Sequence, residues 1–305
     1  MSRFVLCCVS PNLINEAFLE DLQNFLHSQD CQIEKMDHLT TPHLKAIDLN
    51  LLFADTRNAT LIKTQLMSLS NKHQVDMALM PSDNSRSDKK LIVFDMDSTL
   101  IQHEVIDEMA MVHGVGDKVK SITERAMKGE LNFDEALKER VLLLKGLTKE
   151  QMEGVLQYLK LSSGAEKLID TLKKEGYKTA IISGGFRFFA ESFRKRLGMD
   201  YAYANELEFS DNKLTGKVSG KIINAQEKAR LLEVIADKEK LSLGQVVAVG
   251  DGANDLPMLA KAGFGIAFHA KEKVRLEARH QMCHGPMTSI LYFLGIKGNH
   301  FDETL

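Results

Sequence analysis

The sequence predicts an α/β protein in two parts: a small α+β unit of order βαββαβ, then a larger domain built on a parallel sheet. Three observations carry that prediction. Pro81 to Lys90, "PSDNSRSDKK", holds no apolar residue beyond its proline and reads as a linker. Ahead of it, residues 1–80 switch between period-two and helical apolar patterns. Behind it, across 91–305, short apolar runs alternate with amphipathic helices, the pattern of a sheet buried on both faces.

Taken in order, "RFVLCCV" predicts a strand, and Asn15 to Ser28 a helix with Phe18, Leu19, Leu22, Phe25 and Leu26 on one face. "CQIEKMDHL" and "KAIDLNLLFA" predict two strands, "ATLIKTQLMSLSNKH" a helix and "QVDMALM" a last strand. This order suggests a ferredoxin-like or ACT-like module. In the larger domain, "LIVFD" ends at Asp95, "TAIIS" at Ser183 and "VVAVGD" at Asp251. Ala165, Leu168, Ile169 and Leu172 recur at helical spacing before Ser183, with Gly176 as the stop. Phe189, Phe193 and Leu197 do the same after it, with Gly198 as the cap. Leu207 to Gly220 predicts a hairpin around "SDNK". Between roughly 107 and 160 the pattern is helical with no strand, so an all-helical insertion stands over the strand ends as a cap.

At 305 residues and 44% hydrophobic content the chain can fill more than one core. A net charge of -3, from 39 basic and 42 acidic residues, gives no electrostatic footprint for nucleic acid or an anionic membrane. The partner expected is a small solute. No apolar run approaches the ~18 residues of a membrane span, and the N-terminus shows no small-residue cleavage site, so a cytoplasmic protein is expected. Cys7, Cys8, Cys31 and Cys283 form no CxxC pair and read as reduced, buried thiols.

Asp95 and Asp97, one residue apart in "LIVFDMDSTL", would by themselves read as turn-capping aspartates. "GDGANDLPML" changes that reading, because Asp251, Asn254 and Asp255 crowd more oxygen ligands at a second strand end. Two oxygen-rich strand ends in one sheet fit a hard cation, most naturally Mg²⁺. Such a cation with open positions commonly serves phosphate chemistry, which needs alignment and charge neutralisation. Ser183, followed by two glycines, offers a hydroxyl and exposed N–H groups at a helix start, and Lys228 offers a positive charge on a helix.

These residues together resemble the haloacid dehalogenase superfamily: "DMDST", "ISGG", Lys228 and "GDGANDLPML" match its four motifs in order. The resemblance implies a Rossmann-like core with a closing helical cap, Asp95 as nucleophile and Asp97 as general acid and base. It puts the magnesium ion on Asp95, Asp97 and Asp251, with Asp255 behind them. An acid at position 97 favours a poor leaving group, so the expected reaction is hydrolysis of a phosphate monoester. "DMDSTLIQHEVIDE" and "MKGELNFDEALKERVLLLKGL" resemble, more narrowly, the phosphoserine phosphatases of serine biosynthesis. That likeness implies O-phospho-L-serine as substrate, with Glu104 at its ammonium and Arg140 at its carboxylate. Met127 and Phe133 then lie near it as apolar cap residues, and Ser183, Gly184 and Asn254 also contact it. A phosphotransferase or a broader phosphatase on the same intermediate is the alternative. The N-terminal module points to regulation or assembly and is compatible with a homodimer.

Overall fold

The computed structural model describes residues 2–40, 45–53, 59–83 and 86–298. Residue 54 of the expected third strand and residues 84–85 of the expected linker lie outside the described residues. The N-terminal unit contains β1 (Ser2–Val9), α1 (Glu16–Ser28), β2 (Cys31–His38), β3 (Ala46–Phe53), α2 (Ala59–His73) and β4 (Asp76–Pro81). Its sheet runs β2-β3-β1-β4 with every pairing antiparallel, which is the ferredoxin-like arrangement. Asn15 starts α1 by accepting the Phe18 N–H at 2.9 Å, and Phe18, Leu22 and Leu26 bury the predicted stripe.

The larger domain begins with β5 (Leu91–Phe94), followed by the helices α3 (Val105–Val112), α4 (Gly116–Met127), α5 (Phe133–Leu143) and α6 (Lys149–Tyr158). It continues through α7 (Ala165–Lys174), β6 (Lys178–Phe186), α8 (Arg187–Leu197), β7 (Tyr201–Ser210), β8 (Lys213–Ser219) and α9 (Ala225–Lys238). The last elements are β9 (Val246–Gly250), α10 (Leu256–Lys261), β10 (Phe264–Phe268), α11 (Glu272–Glu277), β11 (His280–Met282) and α12 (Ile290–Phe293). The sheet order is β11-β10-β9-β5-β6-β7-β8, parallel except for the β7–β8 hairpin. Asp211 and Asn212 both have positive φ at the hairpin tip, the primed turn that matches strand twist.

Both faces of the central strands are buried. Leu91, Val93, Ala180, Ile182, Val246 and Ala248 pack on one side, and Ile92, Phe94, Ile181, Val247 and Val249 on the other. This explains why the runs read as continuous rather than alternating. Strands β9, β5 and β6 are neighbours, so their C-terminal ends bring Asp251, Asp95 and Ser183 to one edge of the sheet. Open α/β sheets bind ligands at such an edge.

Described residues on either side of residues 84–85 bond to the larger domain. Arg86 donates to Asp48 at 2.7 Å and to the Phe293 carbonyl at 2.8 Å. Asp76, fully buried at the start of β4, accepts the N–H groups of Cys283 and Gly285 at 2.6 and 2.7 Å. All four cysteines are free, and Cys7, Cys8 and Cys31 are buried as expected.

Candidate active site

The turn from Asp95 to Glu104 is held by its own backbone. Ile101 N–H donates to Met96 O at 3.0 Å and Ser98 N–H to His103 O at 3.2 Å, with Ser98 at φ +55°. A left-handed serine is a rare backbone state that its surroundings must enforce. Here the Ser98 hydroxyl donates to Glu104 Oε1 at 2.6 Å. Glu104 precedes α3 but caps nothing with its side chain, so the helix-start role that any glutamate might have there is absent.

Asp95 is 5% exposed and its Oδ1 takes two donors, the Met96 N–H and Lys228 Nζ, each at 2.7 Å. Lys228 Nζ also lies 2.7 Å from Asp255 Oδ1, and the other Asp255 oxygen accepts the Gly252 N–H at 3.0 Å. Asn224 caps α9 and so sets the height from which Lys228 reaches in. Burial works against the Lys228 charge, but Asp255 and Asp95 outweigh it and hold the ammonium above its usual range. Burial and the Asp255 charge push Asp95 the opposite way, well up, despite Lys228. Both directions stand, because one ammonium cannot neutralise Asp95, Asp97, Asp251 and Asp255 together. Burial likewise pushes Asp251 up to about 6, while Thr99 Oγ1 donates to its Oδ1 at 2.7 Å.

Asp95, Asp251 and Asp255 place carboxylate oxygens within 4.8 Å of one another. An all-oxygen, electron-rich set with surplus negative charge fits a divalent metal ion. Asp97 does not join this cluster through its carboxylate, contrary to the expected ligand set. Its Oδ1 accepts the Val105 N–H at 2.9 Å and its Oδ2 the Ser183 hydroxyl at 3.0 Å. Burial pushes the Asp97 carboxyl up against these two donors, which suits a group that must hold a proton.

Ser183 was expected at a helix start, but α8 begins only at Arg187. Pairing of β6 with β7 breaks after Ile182 and resumes at Phe186, so Ser183, Gly184 and Gly185 bulge out of the ladder instead. The Gly185 N–H donates to Ser183 Oγ at 2.8 Å. A Cβ on Gly184 would stand 2.9 Å from the Phe133 ring, and one on Gly185 would collide with Asp97 Oδ2. A side chain at either glycine would have to displace Phe133 or Asp97.

Helix α5 reaches this edge, and α3 packs against β6. Phe133, at the start of α5, covers Gly184, and its neighbour Asp134 accepts from Asn224 Nδ2 at 3.1 Å. Arg140 is half-buried and donates to the Ala136 carbonyl at 3.2 Å, with no carboxylate in salt-bridge range among the described residues. Burial lowers its pKa, against the charges of Asp107, Glu104 and Asp97, which raise it. Burial, followed by the Asp97 charge, pushes Glu104 up to about 7. Asn254 is half-buried beside Gly252. Met127 ends α4 at 71% exposure, and the structure does not bring it into the buried cluster.

Asn205 was missed by sequence reasoning. It is 1% exposed, donates to Gly184 O at 2.8 Å and accepts the Ile223 N–H at 2.8 Å, bracing the Ser183 bulge against the approach to α9. Its signal depends on the β6–β7 pairing and is invisible along the chain. Thr99 was also missed, although its place inside "DMDST" could have pointed to it.

A family model described as haloacid dehalogenase-like hydrolase matches residues 89–263. A phosphoserine phosphatase of Archaeoglobus fulgidus is 50% identical over 72% of this chain, and the chain spans 64% of that protein's length. One from Saccharomyces cerevisiae is 39% identical over 97% of both chains. Among solved structures, a haloacid dehalogenase family hydrolase from Salmonella enterica serovar Typhi superposes with a TM-score of 0.84 at 32% identity, covering 100% of both chains. A phospho-aspartyl intermediate analogue of a phosphoserine phosphatase superposes with a TM-score of 0.63 at 45% identity, covering 67% of this chain and 98% of that one. The chain belongs to the haloacid dehalogenase-like hydrolase family, in the branch that holds these phosphoserine phosphatases.

Proposed function

We propose that the protein hydrolyses O-phospho-L-serine to L-serine and phosphate through a phosphorylated Asp95. The observation that carries the substrate is Arg140, a half-buried guanidinium with no carboxylate in salt-bridge range among the described residues, yet within the electrostatic reach of Glu104. A planar cation and an acid on either side of a phosphate site fit the carboxylate and ammonium of an amino acid. The relatives named above support the same reading.

Lys228 and the Met96 N–H hold Asp95 Oδ1, which leaves the second carboxylate oxygen for attack on phosphorus. When phosphate binds, the Ser183 hydroxyl can turn from Asp97 Oδ2 to donate to a phosphoryl oxygen. Asp97 gives its proton to the departing serine oxygen and takes one from the water that cleaves the aspartyl-phosphate. Asp95 and Asp251, with Asp255 behind them, would hold a magnesium ion, which would supply charge neutralisation at the phosphate. Phe133 and the helices above Gly184 exclude water while the intermediate forms. The four free cysteines fit a reducing, cytoplasmic setting.

Incubation with O-phosphoserine and Mg²⁺, with serine and inorganic phosphate both quantified, tests the reading. Equal molar appearance of the two, lost in Asp95→Asn, is the expected result. Serine without matching phosphate, together with a new phosphorylated alcohol, would make it a phosphotransferase instead.

A further inference from the structure

A cavity of about 710 Å³ opens between α2 and β4 of the N-terminal unit and the β10–β11 region of the larger domain. It is remote from the chemistry, since none of Asp95, Asp97, Ser183, Lys228 or Asp251 lines it. Its volume falls in the range of small-molecule sites, and Leu66, Met77, Leu79 and Phe264 give it an apolar body.

Two features separate it from a packing gap. Ser70, on the α2 wall, is 1% exposed, yet its hydroxyl has no hydrogen-bond partner. A buried hydroxyl without a partner costs stability and is rare in native structures, so it points to a polar group that arrives from outside. The walls also carry surplus positive charge. Lys63, Arg86, Lys89 and Arg279 line the cavity, against Glu277 as the one acid among the described lining residues. Arg86 is matched by Asp48, and Lys89 has Asp83 and Asp88 nearby. Lys63 instead donates to the neutral carbonyls of Leu276 and Ala278, at 2.6 and 2.5 Å. His280 lines the cavity with these three cations, and burial, with the charges of Arg279, Lys63 and Lys89, pushes it down to about 3.

We propose that this interdomain cavity binds an amphipathic monoanion, an aliphatic or fused-ring body bearing one carboxylate or sulfonate, with the anionic head at Lys63 and Arg279 and a hydrogen bond to Ser70. The ligand touches both domains, so its binding stabilises their docked arrangement. The inference does not depend on the phosphatase reading, because its readout is binding.

The test uses the full chain with 8-anilinonaphthalene-1-sulfonate as fluorescent probe, and decanoate, decanol and decylamine as competitors. The probe saturates at one site per chain, and decanoate displaces it while decylamine does not. Lys63→Met weakens decanoate by about tenfold or more, the scale of a lost charge-assisted contact, and leaves decanol unaffected. Leu276→Glu, at a lining residue 51% exposed and so safe for the fold, puts an opposing charge at the mouth and weakens the probe as well. Non-saturable binding, equal competition by all three decyl compounds, or binding untouched by Leu276→Glu would each overturn the proposal.

Discussion

Lys228 Nζ lies 2.7 Å from Asp95 Oδ1 in an environment that leaves the lysine 1% exposed. Burying a cation is costly unless it is paired, and here the pairing ties Asp95 at the end of β5 to Asp255 after β9. Replacing Lys228 by methionine removes one partner from two buried carboxylates. The metal-free protein should lose about 3–5 kcal/mol, the usual cost of breaking a buried pair. Adding Mg²⁺ should restore part of the melting temperature but none of the activity. Differential scanning calorimetry with and without the ion reads both effects.

Asp97 is assigned the proton of the leaving group, so its loss should matter in proportion to how poor that group is. Asp97→Asn should lower phosphoserine turnover by about 10²–10⁴, the usual worth of general acid–base catalysis. In a single turnover, phosphorylation by p-nitrophenyl phosphate should fall much less. Equal losses on the two substrates would remove the proton-donor role.

Under the proposed role at the substrate ammonium, Glu104 would set an acid limit on binding. Its carboxyl is pushed up to about 7, so below that pH it gains a proton and no longer offers a charge to the substrate ammonium. KM for phosphoserine should therefore rise as pH falls from 8 to 6, approaching about tenfold per unit on the acid side. Glu104→Gln should raise KM at pH 8 and flatten the profile. A wild-type profile retained in that variant would assign the titration to another group.

Arg140 should act through binding. Arg140→Ala should cost about 1.5–3 kcal/mol, or roughly 10–100-fold in kcat/KM, carried by KM. Arg140→Lys should recover little, because a point charge lacks the planar fork.

Asn205→Ala would leave Gly184 O and the Ile223 N–H without their partner in the interior. The expected loss is about 1–3 kcal/mol of stability, together with a fall in kcat as the Ser183 bulge relaxes. Chemical denaturation and steady-state kinetics on the same preparation check the two halves.

Much of this was legible along the chain. The apolar runs ending in Asp95, Ser183 and Asp251 announced strands buried on both faces, and the three fall side by side at one sheet edge. The stripe of α1, the glycine stops at 176 and 198, and the hairpin around residues 210–213 follow from local chemistry and hold as expected. The features that were not legible depend on contacts distant in sequence. The bulge at Ser183 arises from a register break against β7, and Asn205 acquires its role only through that pairing. Asp76 looked like one more polar residue in a strand, yet it is the acceptor for a loop more than two hundred residues away. The polar composition of residues 81–90 gave no sign that Arg86 is bonded to Asp48 of the N-terminal unit and to the Phe293 carbonyl of the larger domain.

The central claim, that Glu104 and Arg140 turn a phosphoryl-transfer site into an amino-acid phosphatase, is tested most directly by kcat/KM across O-phospho-L-serine, O-phospho-L-threonine, phosphoethanolamine and glycerol 3-phosphate with saturating Mg²⁺. Phosphoserine should lead, phosphoethanolamine should lose the Arg140 contact, and glycerol 3-phosphate should lose both. Comparable values for all four would contradict the account.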